Sequence, residues 1–481
     1  MSAIRYLLAA TVVIVAATPA TTRADEQEQA PVEIVLSPMP APDPPLAYRL
    51  WPEVVDRIPG NAAVYYGKIK AENNSLFGDA ELRDKVDEWR HEPLESLRDE
   101  GATVPGFTDW TDTPLYYLDQ GARCAYCDWQ LPIGREPFFT ILLPELQESR
   151  GFARWLTAAA RVDVAHDRFA EAAKKLQVNY ALGRNVAHSE TIVGGLVGIA
   201  IAQVGNEQLQ TFIQQPEAPN MYWALAALPR PLVDMRLAVH TEASAIEIMF
   251  PGLRDCISKD MTPDEARALF FKVWAETAIL ADNLPRPANN FVLVLANLPA
   301  YSVAKARLIK SGLPAQRVEA MPVAQALLAD AYLIHRRSED LNVAAFELPY
   351  STSQIVFEQA ERNFKESNAQ GWTPMVQILA AIRPWMQGIR IAQVRLEREL
   401  AVLRLLEAVR MHAAANEGKL PEALSDITVV PVPSDPVTDQ PFEWSVSDGA
   451  ARLTGPDLRN SVVNYRIRMR AAAESHGHEA Q

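Results

Sequence analysis

Cysteine is scarce in this chain. Cys124, Cys127 and Cys256 are the only three in 481 residues, which excludes a small fold stapled by disulfides and leaves core packing to hold the chain together. Also missing are the Gly-x-Ser-x-Gly turn that exposes a hydrolase nucleophile, the Gly-rich loops that cradle phosphates or dinucleotides, and the His-Glu-x-x-His pair of zinc proteases. Each absence removes a usual ground for assigning hydrolase, kinase, dehydrogenase or protease chemistry. Positive charge is short too: 46 Lys and Arg stand against 60 Asp and Glu, a formal net charge of −14. That balance disfavours nonspecific nucleic-acid binding and adhesion to anionic membranes.

What is present begins with Arg5, an apolar run over residues 6–17, and the small-x-small triplet Thr22-Arg23-Ala24 ahead of Asp25. This order reads as a secretory signal peptide, residues 1–24, whose apolar run is shorter than the roughly 20 residues a membrane helix needs. Cleavage would remove Arg5 and Arg23 and no acid, taking the charge from −14 to −16. No cysteine lies near the cut to accept a lipid, so the expected product is soluble and periplasmic or extracellular, with no stable membrane span. Residues 192–204, the most apolar internal stretch, contain Gly194, Gly195 and Gly198 and read as a buried helix packed closely on its neighbours.

Residues 25–58 are rich in proline (Pro38, Pro40, Pro42, Pro44, Pro45, Pro52) and should be extended. Residues 59–143 should hold the first helices and an irregular region containing Cys124 and Cys127. Pro59-Gly60-Asn61-Ala62-Ala63 turns into a helix carrying Val64, Tyr65, Tyr66 and Ile69, read as core, and Pro93 interrupts a polar helical stretch over 80–98. A central helical domain is expected over 144–383. It includes a hairpin of 152–165 and 169–186 around His166-Asp167-Arg168, a helix opened by Thr262-Pro263-Asp264-Glu265, a stop at Gly312-Leu313-Pro314, and helices over 320–342 and 353–366. No fixed repeat period follows the hairpin, which argues against a solenoid. Residues 384–470 begin with a long helix striped by Leu396, Leu400, Leu403, Leu406 and Val409, capped at Gly418. Strands over 442–446 and 451–454 then flank Asp448-Gly449, a hairpin signal, and residues 471–481 form a polar tail expected to be disordered.

Cys124-Ala125-Tyr126-Cys127 is the motif with most chemical potential, since two thiols at that spacing can exchange a disulfide. Its surroundings do not read as strand, thiol pair, helix. A structural disulfide, two buried thiols, redox catalysis and metal binding remain the readings for the pair, with the first two preferred; Asp128 after Cys127 excludes covalent haem attachment, which takes histidine there. Glu88 with His91 and Asp163 with His166 have the spacing used by di-iron helices, but one such pair is not a site and chance surface matches are commoner. Ser302-Val303-Ala304-Lys305 and Lys310-Ser311-Gly312 share one helix and its cap, unlike the separated elements of penicillin-recognising enzymes. Tyr222 and Trp223 could line a groove, although Pro219, Pro229 and Pro231 around them favour a packing knot that anchors a short helix.

The runs 405–412 (Leu-Leu-Glu-Ala-Val-Arg-Met-His), 418–424 (Gly-Lys-Leu-Pro-Glu-Ala-Leu) and 434–444 (Ser-Asp-Pro-Val-Thr-Asp-Gln-Pro-Phe-Glu-Trp) resemble the periplasmic region of G-type pseudopilins, over about residues 385–455. The resemblance implies a long helix, a Gly-x-x-Pro-x-x-Leu turn, an Asp-Pro element and a small antiparallel sheet. A pseudopilin carries its apolar helix at the processed N-terminus of a short protein, so filament assembly, prepilin processing and calcium ligands are not implied. Most of the chain, including residues 59–63, 127–129 and 219–225, is similar to uncharacterised exported helical proteins of planctomycete-type bacteria, which implies a compartment and an architecture.

The expected fold is mainly α, an irregular multi-helix array with a small C-terminal α+β module containing an antiparallel hairpin. The expected role is that of an exported, noncatalytic scaffold or binding protein without cofactor or metal, meeting a protein partner at the cell envelope. The alternatives are an extracytoplasmic thiol-disulfide oxidoreductase using Cys124 and Cys127, and a subunit of a cell-surface or secretion assembly.

Overall fold

The computed structural model describes residues 30–134, 141–277, 298–369, 375–376, 379, 385–459 and 461–470. The expected signal peptide and polar tail lie outside the described residues. The fold is mainly α, as expected, and divides into two compact units: one comprises 1–130, 143–235 and 391–481, the other 131–142 and 236–390. The division cuts across the sequence segmentation, because the first unit is assembled from pieces far apart in the chain.

The first unit opens with strand β1 (Val32–Leu36), then β2 (Ile58–Asn61) leading into helix α1 (Ala62–Glu72). Asn61 is the N-cap, its side chain accepting from Ala63 N at 3.1 Å. Within α1, Tyr66 and Ile69 are buried as expected, but Val64 is 56% exposed and does not belong to the core. Helix α2 (Thr113–Arg123) runs directly into β3 (Cys124–Tyr126), which pairs in parallel with β2. The expected hairpin is present as α3 (Pro144–Ala165) and α4 (Phe169–Ala187), with Asp167 at φ 59° in the turn. Helix α5 (Ile192–Ile213) packs on both. A Cβ on Gly198 would stand 2.3 Å from the Gly183 carbonyl oxygen, so glycine here permits backbone-to-backbone approach. α5 is long and apolar enough to cross a membrane by length and composition, yet it is largely buried inside the unit.

The second unit contains α6 (Pro263–Thr277), α7 (Tyr301–Lys310), α8 (Val323–Phe346) and α9 (Tyr350–Ala369), with shorter helices around them. Thr262 and Glu265 form a reciprocal cap at the start of α6: Thr262 N donates to Glu265 Oε2 at 2.8 Å and Glu265 N to Thr262 Oγ1 at 3.3 Å. Gly312, at φ 104°, follows the end of α7 as expected. Phe250, Leu253, Phe270, Val273, Leu308 and Leu328 belong to this unit's core.

Helix α10 (Met386–Ala415) is the long helix expected from the leucine stripe, and Gly418 N closes its end on Ala413 O at 2.8 Å. From Ile391 onward it belongs to the first unit. The expected extra turn after Pro421 is a single 3-10 turn, Leu424–Asp426. Two short strands, β4 (Ser434–Asp435) and β5 (Gln440–Pro441), pair with each other, and β6 (Glu443–Ser447) and β7 (Ala450–Gly455) form the hairpin around Asp448-Gly449. Sequence reasoning missed β8 (Val463–Met469), antiparallel to β7, and β1, parallel to β8. The Pro-rich segment is therefore anchored at its start as an edge strand, in the order β1-β8-β7-β6. The inner face of this sheet carries buried Ile34, Leu36, Ala451, Leu453 and Ile467, and the Arg398 guanidinium of α10 bonds to Asp435 Oδ2 (2.7 Å) and Pro456 O (2.8 Å).

Candidate functional site

The Cys-x-x-Cys motif lies at the end of α2, where Cys124 is the C-cap with φ −60° and ψ 145°. Pairing with β2 keeps 124–126 extended, with Ile58 opposite Cys124 and Asn61 opposite Tyr126. Three residues of extended chain, at about 3.3 Å each, put the two Cα atoms roughly 10 Å apart, beyond the ~7 Å that a disulfide spans. All three cysteines are free thiols. Burial pushes Cys127 up to about 12, outweighing the Ala63 N–H that donates to it at the start of α1. Burial also raises Cys124 against the lowering pull of Arg123, and Cys124 stands at the negative end of α2, which disfavours a thiolate. Cys256 belongs to the other unit, and burial there likewise raises it to about 12.

Asn61 ties the thiol loop to α1. Its Oδ1 accepts from Asp128 N at 2.8 Å as well as from Ala63 N, and its Nδ2 donates to Asp128 O at 2.7 Å. Beyond this clasp Trp129 stacks on Tyr66, ring centroids 6.0 Å apart, and donates through Nε1 to Asn185 O at 2.8 Å. Asn185 Nδ2 donates to Tyr66 Oη at 2.8 Å. The Tyr66 ring occupies the space over Gly121, where a Cβ would approach to 2.4 Å. Burial, foremost, holds the Tyr66 phenol well above its ordinary value, so it is a neutral hydrogen-bonding group.

These rings form one wall of a cleft of about 480 Å³, lined also by Lys70, Asn74, Glu145 and Glu148. Lys70 and Glu148 make an ion pair within it, each still partly exposed. A smaller cavity of about 170 Å³ shares Lys70, Glu148 and Phe152 with it. The cleft thus offers the half-buried Trp129 ring backed by buried Tyr66, the Lys70–Glu148 ion pair, the Glu145 carboxylate and the Asn74 amide. Its size falls in the range of small-molecule sites, roughly 300–1,000 Å³.

The other candidates from the sequence are used structurally. Tyr222 is buried and its hydroxyl donates to Pro431 O at 2.5 Å, while Trp223 meets it edge-on at 5.2 Å and is 37% exposed. Asp163 is bound to Lys175 (2.5 Å) and Arg168 (2.8 Å), and His166 Nδ1 is bonded to Val162 O at 2.8 Å. Lys305 pairs with Glu319 at 2.6 Å, although Ser302 shares its helix. Among the described residues no three or more His, Cys, Asp or Glu side chains gather to hold a metal ion. Lys70, Glu145 and Glu148 were not singled out by sequence reasoning. They lie on α1 and α3, which are separated by some seventy residues, and no spacing rule connects them.

No protein-family model matches the chain, and searches of the curated proteins and of the solved structures return no similar protein.

Proposed function

We propose that the protein is an exported, noncatalytic binding protein on a helical scaffold, and that the cleft beside the Tyr66–Trp129 stack receives a small polar ligand with one apolar face. The observation that carries this reading is the cleft itself: the half-buried Trp129 ring, held by buried Tyr66, on one wall, with Glu145 and the Lys70–Glu148 ion pair placed to meet polar groups. Rings fixed by Asn185 and by close packing over Gly121 are already ordered, so binding loses little side-chain freedom.

The oxidoreductase alternative requires a lowered thiol pKa and two sulfurs that can meet. The raised thiols, with extended strand 124–126 separating Cys124 from Cys127, weigh against both. The binding reading is tested by thermal-shift screening of amino sugars and dipeptides against wild type and Trp129→Ala. Ligands that stabilise the wild type should lose about a tenfold affinity in the variant, the worth of one well-placed aromatic contact of ~1.4 kcal/mol. Failure to find any ligand whose effect depends on Trp129 would remove the cleft from consideration. For the thiols, insulin reduction by wild-type and Cys124→Ser protein should be equally negligible, and turnover lost on substitution would restore the redox case.

A further inference from the structure

The outer face of the C-terminal sheet carries Arg452, Arg466 and Arg468 against Glu33 and Glu443, a positive balance on a chain of net charge −14. Strand register places Glu33, Arg466, Arg452 and Ser445 in one row across β1, β8, β7 and β6, and Val35, Arg468, Ala450 and Ser447 in the next. Arg452 and Arg466 are therefore directly opposite each other, with side chains on the face turned away from Ile34, Leu453 and Ile467. Arg468 follows Arg466 two residues along β8, and exposed Arg470 follows two residues later. Like charges paired across strands destabilise a sheet, and burial of the inner face does not require them. Glu33 offsets Arg466 in part, at 3.6 Å, and Arg452 Nε donates to Asn464 Oδ1 at 3.4 Å. Arg468 is exposed and makes no ion pair among the described residues. A cleft of about 360 Å³ opens beside Arg452 and Arg466, bounded by Ala30, Pro31, Ser447 and Ala450.

We propose that this sheet face docks a linear acidic polysaccharide. Arginines spaced about 6.8 Å apart along β8, with Arg452 about 5 Å to the side, form a row suited to repeating charge. Ser445 and Ser447 are exposed on the outer face and supply hydroxyl partners for the sugar, whereas the Thr454 hydroxyl donates to Glu443 at 2.8 Å and Asn464 is buried against Arg452. No aromatic residue stands at these outer positions to stack a nucleobase, the usual contribution in single-strand binding. A single polymer strand reaches the row without bringing an extended anionic surface against a body of charge −14, as a membrane would. The proposal does not depend on the Trp129 cleft.

The test is calorimetric titration of the full chain with a sulfated heparin oligosaccharide, a polygalacturonate oligomer and neutral dextran. Both anionic sugars should bind and dextran should not, with affinity falling as salt rises. Replacing Arg452, Arg466 and Arg468 together by Ser should weaken binding at least about tenfold. Replacing Arg83, Lys272 and Lys365, three exposed cations outside the sheet, should change it by less than about twofold. Arg468→Glu alone, at an exposed position, should weaken binding about threefold and covers the case in which the triple variant misfolds. Absence of binding by the wild type, full binding by the sheet variants, equal loss in the control, or tighter binding of single-stranded DNA or anionic vesicles at equal charge concentration overturns the proposal.

Discussion

Glu407 and Arg410 are both fully buried on α10, and the guanidinium satisfies more than its partner. Arg410 meets Glu407 at 3.0 Å and donates to Ser37 O (3.1 Å) and Ala218 O (2.6 Å), joining three distant stretches of chain. Because its removal would leave Glu407 buried without a counter-charge, Arg410→Ala should lower stability by about 3–5 kcal/mol in urea melts. Replacing both residues by Met should cost less, because no buried charge is left alone and the remaining loss is that of the donors to Ser37 O and Ala218 O. Glu399 offers a pH test, since burial raises its carboxyl above the ordinary value even though Asn206 and Gln203 donate to it. A folded pKa above the unfolded one means that the folded state holds its proton longer. The Glu399 contribution is therefore most favourable at low pH and is lost as pH rises from the unfolded value through the folded one. Glu399→Gln should flatten that decline in the denaturation midpoint measured across the window, and an unchanged slope would assign the pH dependence elsewhere.

At the scale of elements, local signals were legible where a single stretch of sequence decides the outcome. Thr262 with Glu265, Gly418 after the leucine stripe, and Asp448-Gly449 each act through bonds or backbone conformations within a few residues, and each marks an observed boundary. β1 and β8 were missed because their pairing partner, or the need for one, lies far away in sequence. The extended setting of Cys124 was invisible for a similar reason: it is imposed by β2, some sixty residues earlier. Glycine in α5 was read correctly as a mark of close packing, and the contact with Gly183 makes that reading quantitative. Gly198→Ala must push apart backbones that now touch, so it should destabilise by about 1–3 kcal/mol, more than helix propensity could return. Equal or greater stability in the variant would mean that α4 and α5 separate without cost.

For the whole molecule, the first unit depends on the start of the described chain. Ile34 and Leu36 are completely buried, and β1 covers one edge of β8. A chain beginning at Ser37 should lose about 1.5–3 kcal/mol for each of those side chains and expose an unpaired edge. Urea melts should show the loss, and size-exclusion chromatography should show self-association absent from the longer protein. The Trp129 cleft was the least legible feature at this scale, since α1, the segment after β3 and α3 each contribute one part of it and none announces the others.

The pairing of Val32 with Tyr465 joins residues roughly 430 apart in sequence. Closing so long a loop costs about 5 kcal/mol of chain entropy before any contact is gained, so this ladder belongs among the last to form. Because synthesis runs from the N-terminus, β1 is made early and must wait for almost the whole polypeptide to follow before it can pair with β8. Completion of the sheet then depends on the chain extending through β8: a chain cut short before residue 463 leaves β1 without its partner.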